Sequence, residues 1–150
     1  MAIPVILLVL ASACTSAHAA PPPARPCNQV IPECHAQRLP NRILHGDEQK
    51  GALHSADGFN QHGLISFDAA LERAWAEDGH SARVVQVVLG SANADKLHWG
   101  HGSRLYYGIW WSGVHTCTNG TSQSSPSCGL QDMATVIDAK TGAFVVGGTA

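Results

Sequence analysis

Runs of β-branched and aromatic residues predict four strands in the second half of the chain. Ala82–Leu89 and Arg104–His115 are two such runs, and each places apolar side chains on both faces of its strand. The run Ala134–Val146 predicts two further strands joined by a tight turn at Asp138–Gly142. In that turn we expect the carboxylate of Asp138 to accept backbone N–H groups.

One helix is predicted just before these strands. Ser66 is a favourable N-cap, and Gly79 is placed to end the helix in a left-handed conformation. Between them, five apolar residues follow the spacing of a single helical stripe: Phe67, Ala70, Leu71, Ala74 and Trp75. A helix of this length needs a sheet on which to pack.

The order of elements predicts an α+β domain over residues 64–150. Short connections favour an antiparallel sheet, so we expect one helix packed on a four-stranded antiparallel meander, in two layers. Residues 20–63 contain scattered Pro, Gly, Asn, Gln and His and keep no period. They are predicted to form a largely irregular, partly ordered linker segment, in which residues 42–44 are a candidate edge element.

The N-terminus resembles an export signal. The apolar run Met1–Ala13 is followed by small residues, which predicts a signal peptide over residues 1–19 with cleavage after Ala19. The run is too short to span a bilayer. We therefore expect a secreted or periplasmic protein, and the alternative is a lipoprotein anchored through Cys14.

Cleavage would leave an even number of cysteines in an oxidising compartment, which favours disulfide bonds. Pairing by proximity predicts Cys27–Cys34 and Cys117–Cys128. Four cysteines allow three connectivities, and proximity is the only basis for choosing this one.

The charge balance narrows the class of function. Nine Lys and Arg against eleven Asp and Glu give a net charge of −2, without the concentrated basic face that nucleic-acid binding requires. No set of nucleophile, base and orienting group can be named, so we expect a protein that is not an enzyme and uses no cofactor.

The helix SFDAALERAWAE, the Val-rich strand, the Tyr- and Trp-containing strand and the closing VIDAKTGAFV resemble a PepSY-type domain of exported bacterial proteins. The resemblance covers residues 64–150. It implies a cystatin-like helix-on-sheet fold, no catalytic residues, and a role in binding a protein or peptide, with an extracellular protease as one partner whose activity it would modulate.

Aromatic residues supply the candidate binding surface. Tyr106 and Trp110 share one face of their strand, and Trp99 lies in the preceding loop. If that face is open, these three form an aromatic patch for a partner. If it is closed, the N-terminal segment covers it.

Histidines supply an alternative function. His98 and His101 are three residues apart in the Gly90–Gly102 loop, and His115 is a candidate third ligand. Imidazole groups bind transition metals, so this set would make the chain an extracytoplasmic metal-binding protein.

Overall fold

The structure is a computed structural model that describes residues 36–77, 82–118 and 127–150. Two helices, α1 (Phe67–Glu77) and α2 (Ala94–Leu97), accompany six strands within these ranges. The strands are β1 (Gln37–Arg38), β2 (Arg42–Ile43), β3 (Val84–Asn93), β4 (Ser103–Thr118), β5 (Ser127–Asp138) and β6 (Phe144–Thr149). The predicted signal peptide, Cys14, the Cys27–Cys34 pair and the Gly79 helix end lie outside the described residues.

All six strands belong to one mixed sheet. Strands β3, β4, β5 and β6 follow one another as antiparallel neighbours. Strands β1 and β2 lie one after the other along the free edge of β3, and both pair with it in parallel. Residues 37–38 and 42–43, which lie in the predicted linker, therefore belong to the sheet.

The predicted fold class was wrong. In place of one helix on a four-stranded antiparallel meander, the described chain has a six-stranded mixed sheet and a second short helix. The physical reason is the buried character of β3, in which residues 87–92 are all buried. If β3 were the edge strand of the sheet, these residues would be open to water. The pairing of β1 and β2 with β3 closes this edge. The candidate edge element over residues 42–44 is confirmed, since β2 lies within it, but so short a strand has no period that could reveal its partner or its parallel direction.

One face of the sheet, the helix face, packs on α1. The ring of Trp75 lies 5.6 Å from that of Trp111, and the rings of Phe67 and Tyr107 meet edge to face at 4.9 Å. The buried indole of Trp111 donates a hydrogen bond to the Thr135 hydroxyl at 2.9 Å. The predicted apolar stripe therefore faces the core, and the Ser66 cap is confirmed, since its hydroxyl accepts the Ala69 N–H at 3.1 Å.

The opposite face, the loop face, is covered by residues 44–56 and by α2. Leu44 and Leu53 are fully buried against Val88 and Tyr106. The loop is joined to the end of β3 by an isolated bridge between His54 and Ser91. Large apolar side chains from a part of the chain without periodicity thus shield this face from water.

Strands β4 and β5 continue past the rest of the sheet as a two-stranded arm. A register shift after Trp111 marks its start. Cys117 and Cys128 lie opposite each other in the arm and form the predicted disulfide. At the other end of β5, the predicted turn is confirmed, because the Asp138 carboxylate accepts the Thr141 N–H at 2.8 Å. Neither helix in the described ranges has the length and apolar character needed to cross a membrane.

Leu53→Ala should lower the free energy of unfolding by about 2–5 kcal/mol, because truncation of a buried leucine leaves a cavity. The side chain of Leu53 is 1% exposed, whereas that of Leu130 is 51% exposed. The matched control Leu130→Ala should therefore stay within about 0.5 kcal/mol of the parent. Urea denaturation measures both. Equal effects would contradict the packing of residues 44–56 on the sheet.

Candidate functional site

The loop face carries an apolar cavity of about 400 Å³ beside the β6 edge, which we call the tryptophan groove. Its walls include the half-buried Trp99 and Trp110. The other lining residues are small or apolar, and none of them has a charged side chain: Gly51, Ala52, Leu53, Ala134, Val136, Val146, Gly147, Gly148, Thr149 and Ala150. A mostly apolar concavity with aromatic walls is the usual form of a binding site.

The indole of Trp110 packs against the bare backbone of Gly108. A Cβ added at Gly108 would meet the Trp110 ring at 2.1 Å, so this position has no room for a side chain. The Lys50 ammonium lies 5.0 Å from the ring centroid and bonds the Gln86 side-chain oxygen at 2.6 Å. Loss of hydration is the main cause that lowers the pKa of Lys50. These contacts hold the ring in one place.

Trp99 is positioned by the short loop that follows α2. The backbone N–H of Trp99 donates to the Ala94 carbonyl at 2.9 Å. The Asp95 carboxylate accepts the backbone N–H of Gly102 at 2.7 Å and thereby closes the loop. The Trp99 ring packs edge to face on Tyr106 at 5.4 Å. Tyr106 itself is 1% exposed. It therefore supports Trp99 from below, and the two tryptophans are the aromatic groups that a ligand in the groove would contact.

The groove opens at the outer edge of β6. The N–H of Ala150 donates to the Asp132 carbonyl at 2.9 Å, and the register places Gly148 opposite Ala134. Because hydrogen-bonded pairs alternate along antiparallel strands, Gly147 and Thr149 direct their N–H and C=O groups away from β5. In the described ranges no strand pairs with this edge.

The three predicted metal ligands are separated in the fold. His98 and His101 lie next to the start of β4, whereas His115 lies 12 residues beyond its first residue, Ser103. At about 3.3 Å per residue, that separation is about 35–40 Å. Across residues 36–77, 82–118 and 127–150, no group of three His, Cys, Asp or Glu side chains is placed to hold a metal ion.

Two histidines pair instead with aspartates in exposed loops. His45 contacts Asp57 at 2.7 Å, and His101 contacts Asp95 at 3.1 Å. Each carboxylate also accepts a backbone N–H, from Gly46 in the case of Asp57 and from Gly102 in the case of Asp95. These hydrogen bonds are the main cause that lowers the pKa of Asp57 to about 2 and that lowers the pKa of Asp95. Neither pair lines the tryptophan groove. Both close the loops that carry its walls.

The sequence pattern did not identify several groups that shape the groove, namely Lys50, Gly51, Leu53, Gly147 and Gly148. The available signal was glycine inside strands, which often marks a close approach of another group.

Comparison with protein-family models, with curated proteins and with solved structures finds no match to this chain. The PepSY-type resemblance therefore stays a prediction.

Gly108→Ala should displace the Trp110 ring and destabilise the chain by about 1–3 kcal/mol, as overpacking does. Near-ultraviolet circular dichroism and urea denaturation should both report the change. Gly129→Ala is the matched control and should leave the tryptophan signal unchanged, because a Cβ added at Gly129 meets nothing within 4 Å. An unchanged tryptophan signal in Gly108→Ala would contradict the described ring position.

Acid should loosen the loop over residues 45–57. The hydrogen bonds to Asp57 lower its pKa from 3.8 to about 2. A carboxyl with a depressed pKa stabilises the fold above its ordinary pKa, and this contribution is lost as the pH falls through the depressed value. The amide chemical shift of Gly46, which donates to Asp57 at 2.8 Å, should titrate with a midpoint near 2. Asp57→Asn should abolish that titration, and a midpoint near 3.8 in the parent would contradict the predicted shift.

Proposed function

We propose that this chain is an exported, non-enzymatic binding domain that holds an extended segment of a protein or peptide along the outer edge of β6. The observation that carries the proposal is the position of the tryptophan groove directly beside the outer edge of β6, with which no strand of the described residues pairs. Strand addition of this kind uses backbone hydrogen bonds for affinity and a side-chain pocket for selectivity.

The composition of β6 supports this use. Exposed edge strands are commonly protected by charged residues or proline, because an open edge invites pairing with another chain. The β6 sequence FVVGGT contains neither, and Phe144 and Val146 remain exposed on it. A partner strand would bury these groups and satisfy the outward N–H and C=O groups of Gly147 and Thr149.

The rigidity of the groove is the second support. Trp110 is held by the Gly108 backbone and Lys50, and Trp99 is held by its loop and by Tyr106. A site that is already ordered loses little conformational entropy on binding. Aromatic anchors in such pockets commonly carry much of the binding energy.

Proline substitutions test the edge. The N–H of Gly147 points outward, so Gly147→Pro should keep the β5–β6 ladder and remove one donor to a partner. Titration with an acetylated, amidated heptapeptide of alternating Thr and Val, followed by NMR, should show binding weakened roughly three- to tenfold, since one hydrogen bond contributes about 0.5–1.5 kcal/mol.

Gly148→Pro is the matched control for strand orientation. Its N–H faces β5, so the substitution should break the ladder and lower the melting temperature, which Gly147→Pro should not do. The backbone N-methylated peptide should bind neither form. Equal binding of the peptide to the parent and to Gly147→Pro, or no amide shifts at β6, would overturn the proposed function. Sedimentation of the free chain shows whether a second copy occupies the edge instead.

A further inference from the structure

One row of side chains crosses the loop face, and its members become smaller from Trp110 to the β6 edge. The strand registers place Gln86, Trp110, Ala134 and Gly148 next to one another on four successive strands. Ala134 and Gly148 together contribute a single methyl group to this row. A Cβ added at Gly148 would meet nothing within 4 Å, so the row ends in open space beside the groove.

A strand added to β6 would continue this row with one residue of its own. Side chains directly opposite each other on neighbouring strands lie about 4.5–5.5 Å apart and point to the same face. The residue opposite Gly148 would therefore point toward the tryptophan groove, with no side chain from Gly148 in its way. Its two neighbours in the added strand would point to the opposite face.

The charges near the groove restrict the partner further. The lining has no charged side chain, and the Lys50 ammonium, which contacts Trp110, has no carboxylate partner among the described ion pairs. A basic segment would be repelled by this ammonium, whereas a neutral or acidic one would not.

We propose that the tryptophan groove selects one residue of the partner, the one opposite Gly148, and accepts there a large apolar side chain, aromatic or long aliphatic, within a neutral to acidic extended segment. This inference rests on the proposed strand addition at β6. Strand addition at the β6 edge uses only the partner's backbone, whereas the groove also determines which side chain the partner carries.

The test uses acetylated, amidated heptapeptides of Thr with one central residue varied among Phe, Leu, Ala and Lys, titrated into the folded chain and followed by NMR. We expect the dissociation constant to be at least tenfold lower for Phe or Leu than for Ala, and higher for Lys than for Ala. Chemical shifts of the Trp99 and Trp110 indole N–H groups should move with the Phe and Leu peptides.

Gly148→Leu should fill the opening and remove the preference for Phe over Ala, and Gly129→Leu is the matched control that should keep it. If all four peptides shift the Gly147 and Thr149 amides with equal affinity, the selectivity proposal is overturned and strand addition stands. If no peptide shifts these amides, both proposals fail. If the preference for Phe persists in a folded Gly148→Leu variant, the assigned pocket is wrong.

Discussion

Strand β4 carries large aromatic side chains on both of its faces, and this constraint organises the rest of the molecule. Tyr107 and Trp111 need cover on one side, and Tyr106 and Trp110 need it on the other. Burial of a large side chain stabilises a fold by about 1.5–3 kcal/mol, so neither set can be left in water without cost. Helix α1 covers the first set. Residues 44–56 and α2 cover the second, so this part of the N-terminal segment belongs to the packed structure.

The cover on the loop face stops before the last strand, and the groove is the result. Lys50 and Gly51 lie against the Trp110 ring, but nothing in the described chain extends across Ala134 to Gly148. Toward the edge the side chains shrink from indole to methyl to hydrogen. The same packing that protects β4 therefore produces an ordered aromatic wall beside the outer edge of β6, which no other part of the described chain pairs with. The proposed function depends on this arrangement.

The polar groups of the loop face act mainly by holding the loops that carry the walls of the groove. Asp57 and Asp95 each accept a backbone N–H and contact a histidine, and the loops that they close carry Leu53 and Trp99. Lys50 contributes by its contact with an indole ring. His101, which looked like a metal ligand in the sequence, thus helps to close a loop, because a histidine beside a carboxylate serves loop closure as readily as coordination.

Local patterns determined the parts of this protein that depend on near neighbours along the chain. The apolar stripe of α1, the Asp138 turn, the shared face of Tyr106 and Trp110, and the cross-strand pair Cys117–Cys128 could all be predicted, since each depends on spacing within a few residues or on one hairpin. Only the tertiary structure decided the parallel pairing at β3, the cover over Trp110 and the row that ends at Gly148. Two-residue strands have no period, the cover joins residues more than 30 positions apart, and the composition of a row depends on the register of four strands at once.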